Sequence, residues 1–192
     1  MYNDGDLKRN GFPGENVANG EVIVVKTHEW GAKVRYKFSA AILLVRDPVD
    51  SILSEYNRQG GGHTGHARQD MFAMQGGKRW KNFLKKKLIR WRGINSDWIN
   101  NFHGPLLVIS YSELRDNVEE QLNRMLQFLN VSVNKEEMDC ALSRKEGIFK
   151  RPKMKKKPPI DDDLIYMVNT YRDDVLQLIN GNERFENITL SK

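Results

Sequence analysis

The stretch Ala40-Ala41-Ile42-Leu43-Leu44-Val45-Arg46-Asp47-Pro48-Val49-Asp50-Ser51-Ile52-Leu53-Ser54 decides the reading of this chain. Its six leading apolar residues run on without a polar break, which suits a strand buried on both faces of a parallel sheet. Arg46 then leads into Asp47-Pro48. Asp47 can accept from a free amide at a helix start, and Pro48 fills the first helical position, where it has no N–H to lose. The segment is a strand-to-helix joint whose helix is expected to reach about Arg58. Two more apolar runs, Val22 to Val25 and Leu106 to Ile109, read as strands of the same kind. Helical patterns lie between and after them, so the expected fold class is α/β, a parallel sheet flanked by helices.

Trp80, Phe83, Leu84, Leu88 and Trp91 recur at helical spacing among lysines and arginines, an amphipathic basic helix. Val118, Leu122, Met125, Leu126 and Leu129 mark another helix. Asn134 with Glu137 three residues on forms a capping box for a third, and Asp161 opens a last helix that Asn180-Gly181 ends. The glycine-rich residues 60–77 read as a long flexible loop, and the Lys- and Pro-dense residues 150–159 as an extended segment.

The 192 residues carry 31 Lys+Arg against 25 Asp+Glu, a net charge of +6, with 39% hydrophobic residues and one cysteine. That composition excludes a disordered chain, a disulfide scaffold and a membrane span, and predicts one domain over residues 1–192. Neither a signal peptide nor an anchor is expected from the first residues, Met1-Tyr2-Asn3-Asp4. The basic balance favours an anionic partner: nucleic acid, a membrane surface or a phosphorylated small molecule. Cys140 says nothing about compartment, and the sequons at Asn130 and Asn187 matter only in a secretory protein.

Three constellations can carry chemistry. Lys26-Thr27-His28 follows the first apolar run, and in parallel α/β sheets ligands bind at the carboxyl ends of strands. The imidazole can take a proton from a hydroxyl, and the ammonium can stabilise charge on a leaving oxygen. The same residues also suit plain polar positions at a strand end. Arg46 and Ser54 stand eight apart across the joint, close enough in angle around the helix to meet one anion, with the helix N-terminus nearby. A strand-end arginine paired with Asp47 or Asp50 is the alternative. Lys150 and Arg151, in the run from Phe149 to Lys157, suit a cationic flap or a solvated surface loop. His63 and His66, without carboxylate or thiolate company, make a poor metal site, and no metal is expected.

In this order the pieces resemble the sulfotransferases that use 3′-phosphoadenosine 5′-phosphosulfate (PAPS). Val25-Lys26-Thr27-His28 resembles the segment of the family's catalytic histidine. Leu44 to Ser54 resembles its 3′-phosphate motif, and Leu107 to Leu114 is similar to its strand ending beside the adenosine. Within the family the likeness is to the sulfotransferase domain of WSC domain-containing proteins, over roughly residues 1–155. It includes Tyr2-Asn3-Asp4, the Glu55-Tyr56-Asn57-Arg58 helix and Gly147 to Arg151.

The resemblance implies a P-loop-like sulfotransferase fold and sulfuryl transfer from PAPS to a glycan hydroxyl, with sialic acid as the implied acceptor and the Golgi lumen as the compartment. His28 and Lys26 would be catalytic; Arg46, Ser54, Tyr111, Lys150 and Arg151 would hold the nucleotide. No residue matches the family's first strand and 5′-phosphosulfate loop, so the expectation is an N-terminally truncated domain whose activity is open. The alternatives are an inactive remnant that binds a 3′-phosphonucleotide or anionic glycan, and a basic nucleic-acid or membrane-surface module. A nucleic-acid partner is not expected, no membrane span lies within the chain, and oligomeric state is unspecified.

Overall fold

A computed structural model describes residues 9, 17, 19–146, 150–152, 154 and 158–190. Tyr2-Asn3-Asp4, Gly147-Ile148-Phe149, Lys153 and Lys155 to Lys157 lie outside the described residues. The elements are α1 (Ala32–Arg35), β1 (Ala41–Val45), α2 (Pro48–Gly61), α3 (Gln69–Ala73), α4 (Lys78–Asn101), β2 (Leu106–Ser110), α5 (Tyr111–Asp116), α6 (Val118–Phe128), α7 (Lys135–Ser143) and α8 (Asp162–Asn180).

β1 and β2 pair in parallel, from Ala41 beside Leu106 to Val45 beside Ser110, and helices flank this small sheet. The joint after β1 forms as its residues dictate. The Asp47 carboxylate accepts from the Asp50 amide at 3.0 Å, and Pro48 stands at the helix start. Asn134 and Glu137 complete the reciprocal capping box of α7, and Asp161 caps α8 through the Leu164 amide.

The long helix α4 organises the core. Trp80, Leu84, Leu88, Trp91, Trp98 and Ile99 form its buried stripe. α8 packs against that stripe with Leu164, Val168, Val175 and Ile179, while α2 and α3 add Tyr56 and Phe72. The Tyr56 ring centroid lies 4.9 Å from Phe72, 5.1 Å from Trp80 and 5.0 Å from Phe83. Offset and edge-on rings at such distances contribute about 0.5–1.5 kcal/mol per pair beyond area burial. No helix among the described residues is long and apolar enough to cross a membrane.

Three expectations are corrected. Val22 to Val25 is not a strand: Ile23 is 69% and Val24 58% exposed, and among the described residues no strand lies beside them. Without a neighbour, an apolar run cannot satisfy its backbone in a ladder, whatever its β propensity. The sheet is also not covered on both faces throughout, since Leu44 is 47% exposed although Val45 next to it is fully buried. The loop expected over residues 60–77 is shorter than its sequence suggests, because α2 continues through Gly61 and α3 lies within it.

Candidate functional site

The carboxyl end of β1 delivers Arg46, and α2 carries Ser54 and Arg58 on one side, the last two a single helical turn apart. Asp47 does not claim Arg46. Its carboxylate caps α2 and receives two hydrogen bonds from Arg172 of α8, at 3.1 and 2.6 Å. The Arg46 guanidinium instead lies over the Tyr111 ring at 4.5 Å, while its carbonyl accepts from the Trp91 indole at 3.0 Å. Tyr111 reaches this place because it is the first residue of α5, directly after β2.

Arg151 completes the group from far along the chain. Its guanidinium donates to Ser54 Oγ at 3.2 Å, to the Gly65 carbonyl at 2.6 Å and to the Gly62 carbonyl at 2.7 Å. Burial, then the positive charges of Arg46 and Arg58, hold its pKa below the usual arginine value. Lys150 is not brought in: it pairs with Glu146 at the surface, at 2.5 Å.

The glycine-rich segment is a cradle for this arginine. A Cβ on Gly61 would lie 2.4 Å from the His66 carbonyl oxygen, and one on Gly65 would lie 2.3 Å from that of Gly61. Only glycine lets the two backbones come that close, which sets the Gly62 and Gly65 carbonyls toward Arg151. His66 Nε2 donates to the Pro152 carbonyl at 2.9 Å. The buried Asn57 accepts from the Ala67 amide at 2.9 Å and reaches Met154 Sδ at 3.4 Å. The 150s segment is thus held from α2 and from the glycine turn.

His28 and Lys26 belong to the same neighbourhood although no strand carries them. Loss of surrounding water, followed by the Lys26 charge, pulls the His28 imidazole below its ordinary pKa; Glu55 pulls it up and Arg58 down again. A neutral imidazole near pH 7 is the form that accepts a proton. Glu55 itself receives Arg58 at 2.8 and 3.1 Å and Gln59 at 2.7 Å, with Lys87 3.6 Å away. Burial raises its pKa, but these bonds and charges outweigh that and leave the carboxyl below its usual range.

The strap bearing His28 is fastened to α4 beyond it. The Trp98 indole donates to the Glu29 carbonyl at 3.2 Å, and the Gly31 amide donates to Asp97 at 2.8 Å. Arg35 also binds the Asp97 carboxylate, so α1 is tied to the same point. Trp30 lies against Gly93 so closely that a Cβ there would fall 1.9 Å from its ring.

The structure therefore gathers Arg46, Ser54, Tyr111 and Arg151 with Arg58, and sets Lys26, His28 and Glu55 beside them. Arg58, Glu55, the cradle glycines and Gly93 were not among the residues singled out for chemistry. For Arg58 the signal was its place one turn after Ser54. For Gly93 it was a glycine inside a helix, where alanine is favoured by about 1 kcal/mol. Cations converging at a strand end, with the His28 imidazole beside them, suit an anionic ligand and proton transfer from a hydroxyl.

Comparisons with known proteins bear on the family of this chain. The chain is 49% identical over 153 residues to a WSCD family member of Aedes aegypti, covering 80% of this chain and 48% of the relative. Over the same length and shares it is 47% identical to a WSCD family member of Drosophila melanogaster and 46% to one of Drosophila pseudoobscura. The chain thus spans about half the length of these curated relatives. No solved structure matches it. The family model of the sulfotransferase domain matches residues 24–158, a span that runs from the His28 strap through the joint and the Tyr111 turn to the Arg151 segment. With more than half of its length, and every element of the site, inside that match, the chain belongs to the sulfotransferase family.

Proposed function

We propose that residues 1–192 act as one catalytic domain that transfers a sulfuryl group from PAPS to a hydroxyl of a glycan, with sialic acid the acceptor suggested by the WSC-type likeness. The observation that carries this reading is the meeting of Arg46, Arg58 and Arg151 around Ser54, where each arginine lowers the cost of bringing in a phosphate. Those residues fit a 3′-phosphate, and the Tyr111 ring beneath Arg46 fits the flank of the adenosine. PAPS, as co-substrate, supplies the activated sulfuryl group. Arg151, fixed by the glycine cradle, is the flap cation in this reading rather than Lys150.

His28 accepts the proton as the acceptor hydroxyl oxygen forms its bond to sulfur. Lys26 stabilises the phosphate oxygen from which the sulfur departs. The rate comes from positioning and from cations aimed at developing charge. The Golgi lumen is the compartment that this reading implies.

The test is calorimetric titration with adenosine 3′,5′-bisphosphate. Binding in the micromolar range is expected, and Arg46→Ala should weaken it by about 30-fold or more, the scale of removing one partner from a buried charged contact. His28→Ala should leave it nearly intact. Equal losses in both variants, or no binding by the folded chain, would refute the division of roles. Labelled product from radioactive PAPS would separate an active enzyme from an inactive remnant that only binds.

Gly93→Ala tests the strap. The added methyl must push Trp30 aside, and that shift is expected to displace His28 two residues away. Turnover is expected to fall by about tenfold to a hundredfold, because small misplacements of a reacting group are costly. Bisphosphate affinity should hold, and the thermal midpoint should change little because alanine improves helix propensity. Unchanged turnover would show that Trp30 packing does not position His28.

A further inference from the structure

The outer face of α4 breaks the charge pattern that favours a helix. From Lys78 to Arg92 the sequence holds eight Lys and Arg and no Asp or Glu. Three of them reach carboxylates on neighbouring segments: Lys81 to Asp161 at 2.7 Å, Lys87 to Glu55 at 3.6 Å and Arg92 to Asp174 at 2.7 Å. The other five, Lys78, Arg79, Lys85, Lys86 and Arg90, are exposed and form no ion pair among the described residues. Lys86 and Arg90 stand one turn apart and repel, as do Lys81 and Lys85. A helix selected only for stability would place glutamates among them, and the fold offers no compensation for leaving them out.

The direction of this ridge matters. At about 100° per residue, Arg79, Lys86 and Arg90 fall within about 40° of one line and span about 16 Å along the helix. Gly93, which carries Trp30, borders that line on one side. Lys87, which reaches toward Glu55, borders it on the other. His28 is two residues from Trp30 and within the field of Glu55. The ridge therefore runs along α4 toward the imidazole.

We propose that Arg79, Lys86 and Arg90 form a docking rail for the acceptor, and that the acceptor is a linear acidic polysaccharide. This rests on the sulfuryl-transfer reading, which requires a hydroxyl; a chain with repeated carboxylates or sulfates supplies hydroxyls and the counter-charge of the ridge in one molecule. A lipid surface fits less well, because Ile89, 52% exposed, is the one exposed large apolar side chain on α4.

The experiment measures binding of polysialic acid, neutral dextran, duplex RNA and phosphatidylserine vesicles to the full chain and to Arg79→Ala/Lys86→Ala/Arg90→Ala. Alanine suits a helix, and none of the three side chains is buried, so the variant is expected to fold. Polysialic acid should bind with steep salt dependence and dextran should not. The triple variant should lose about tenfold or more in affinity, with the log–log salt slope smaller by about two to three. In transfer assays its KM for the polysaccharide should rise while kcat at saturation and adenosine 3′,5′-bisphosphate affinity stay put.

Equal polysaccharide binding by the variant would overturn the rail and leave the sulfuryl-transfer reading standing. Tighter binding of RNA or vesicles through the same three residues would overturn the choice of partner. Polysaccharide binding without any bisphosphate binding would overturn the acceptor role together with the enzymatic reading.

Discussion

Replacing His28 with alanine is expected to lower turnover in sulfuryl transfer by about 10²–10⁴-fold, the range for losing a positioned general base. Nucleotide affinity should survive, because the proposed phosphate contacts are Arg46, Ser54, Arg58 and Arg151 rather than residues of the strap. The pH profile carries the sharper version of this prediction. The base must be neutral, so activity falls as pH drops through the His28 pKa. Desolvation, then Lys26, lowers that pKa, which places the acid limb of kcat below the ordinary histidine value. Lys26→Ala removes a cation and should move the limb upward; Glu55→Gln removes an anion and should move it downward. A limb above the ordinary histidine value, or one that ignores both substitutions, would remove His28 from the role of base.

The parts of this site that local chemistry dictates were legible in the sequence. Asp47-Pro48 after an unbroken apolar run forces a strand to end and a helix to begin, so the spacing from Arg46 to Ser54 becomes a distance across one joint. Tyr111 follows in the same way from the end of β2. The apolar run before Lys26 misled because strand formation needs a neighbour, and sequence alone does not report one. Lys26 and His28 nonetheless arrive at the site, carried by contacts of the strap with α4 at Gly93, Asp97 and Trp98.

What sequence reasoning could not reach depends on distant backbone meeting backbone. Gly60 to Gly65 has the composition of a flexible loop, yet Gly61 and Gly65 are needed because their chains touch. Composition does not distinguish a glycine kept for freedom from one kept for closeness. Lys150 and Arg151 are neighbours of like charge, and nothing local tells which turns inward. The Glu146 one turn before Lys150 was a visible partner for it, while the carbonyls that hold Arg151 come from about ninety residues upstream.

Arg172→Ala should destabilise the fold by about 3–5 kcal/mol, because it strands the Asp47 carboxylate without its buried partner. The two side chains are only 11% and 6% exposed, and their contact joins α8 to the start of α2. A loss of that size is a large share of the about 5–15 kcal/mol that stabilises a typical domain, and a shift in the urea midpoint would report it. Arg172→Met with Asp47→Asn should recover much of the loss, since asparagine caps a helix about as well as aspartate and no charge is left buried. The pair also guards the anion site. Asp47 adjoins Arg46 in sequence, yet its carboxylate is held by Arg172 while Arg46 lies over Tyr111. In the folded fraction of Arg172→Ala the freed carboxylate should compete for Arg46 and weaken adenosine 3′,5′-bisphosphate binding, although Arg172 is not one of the proposed nucleotide contacts. The double substitution should restore that binding. If the folded single variant binds the bisphosphate as tightly as the parent, Asp47 and Arg172 serve the fold alone.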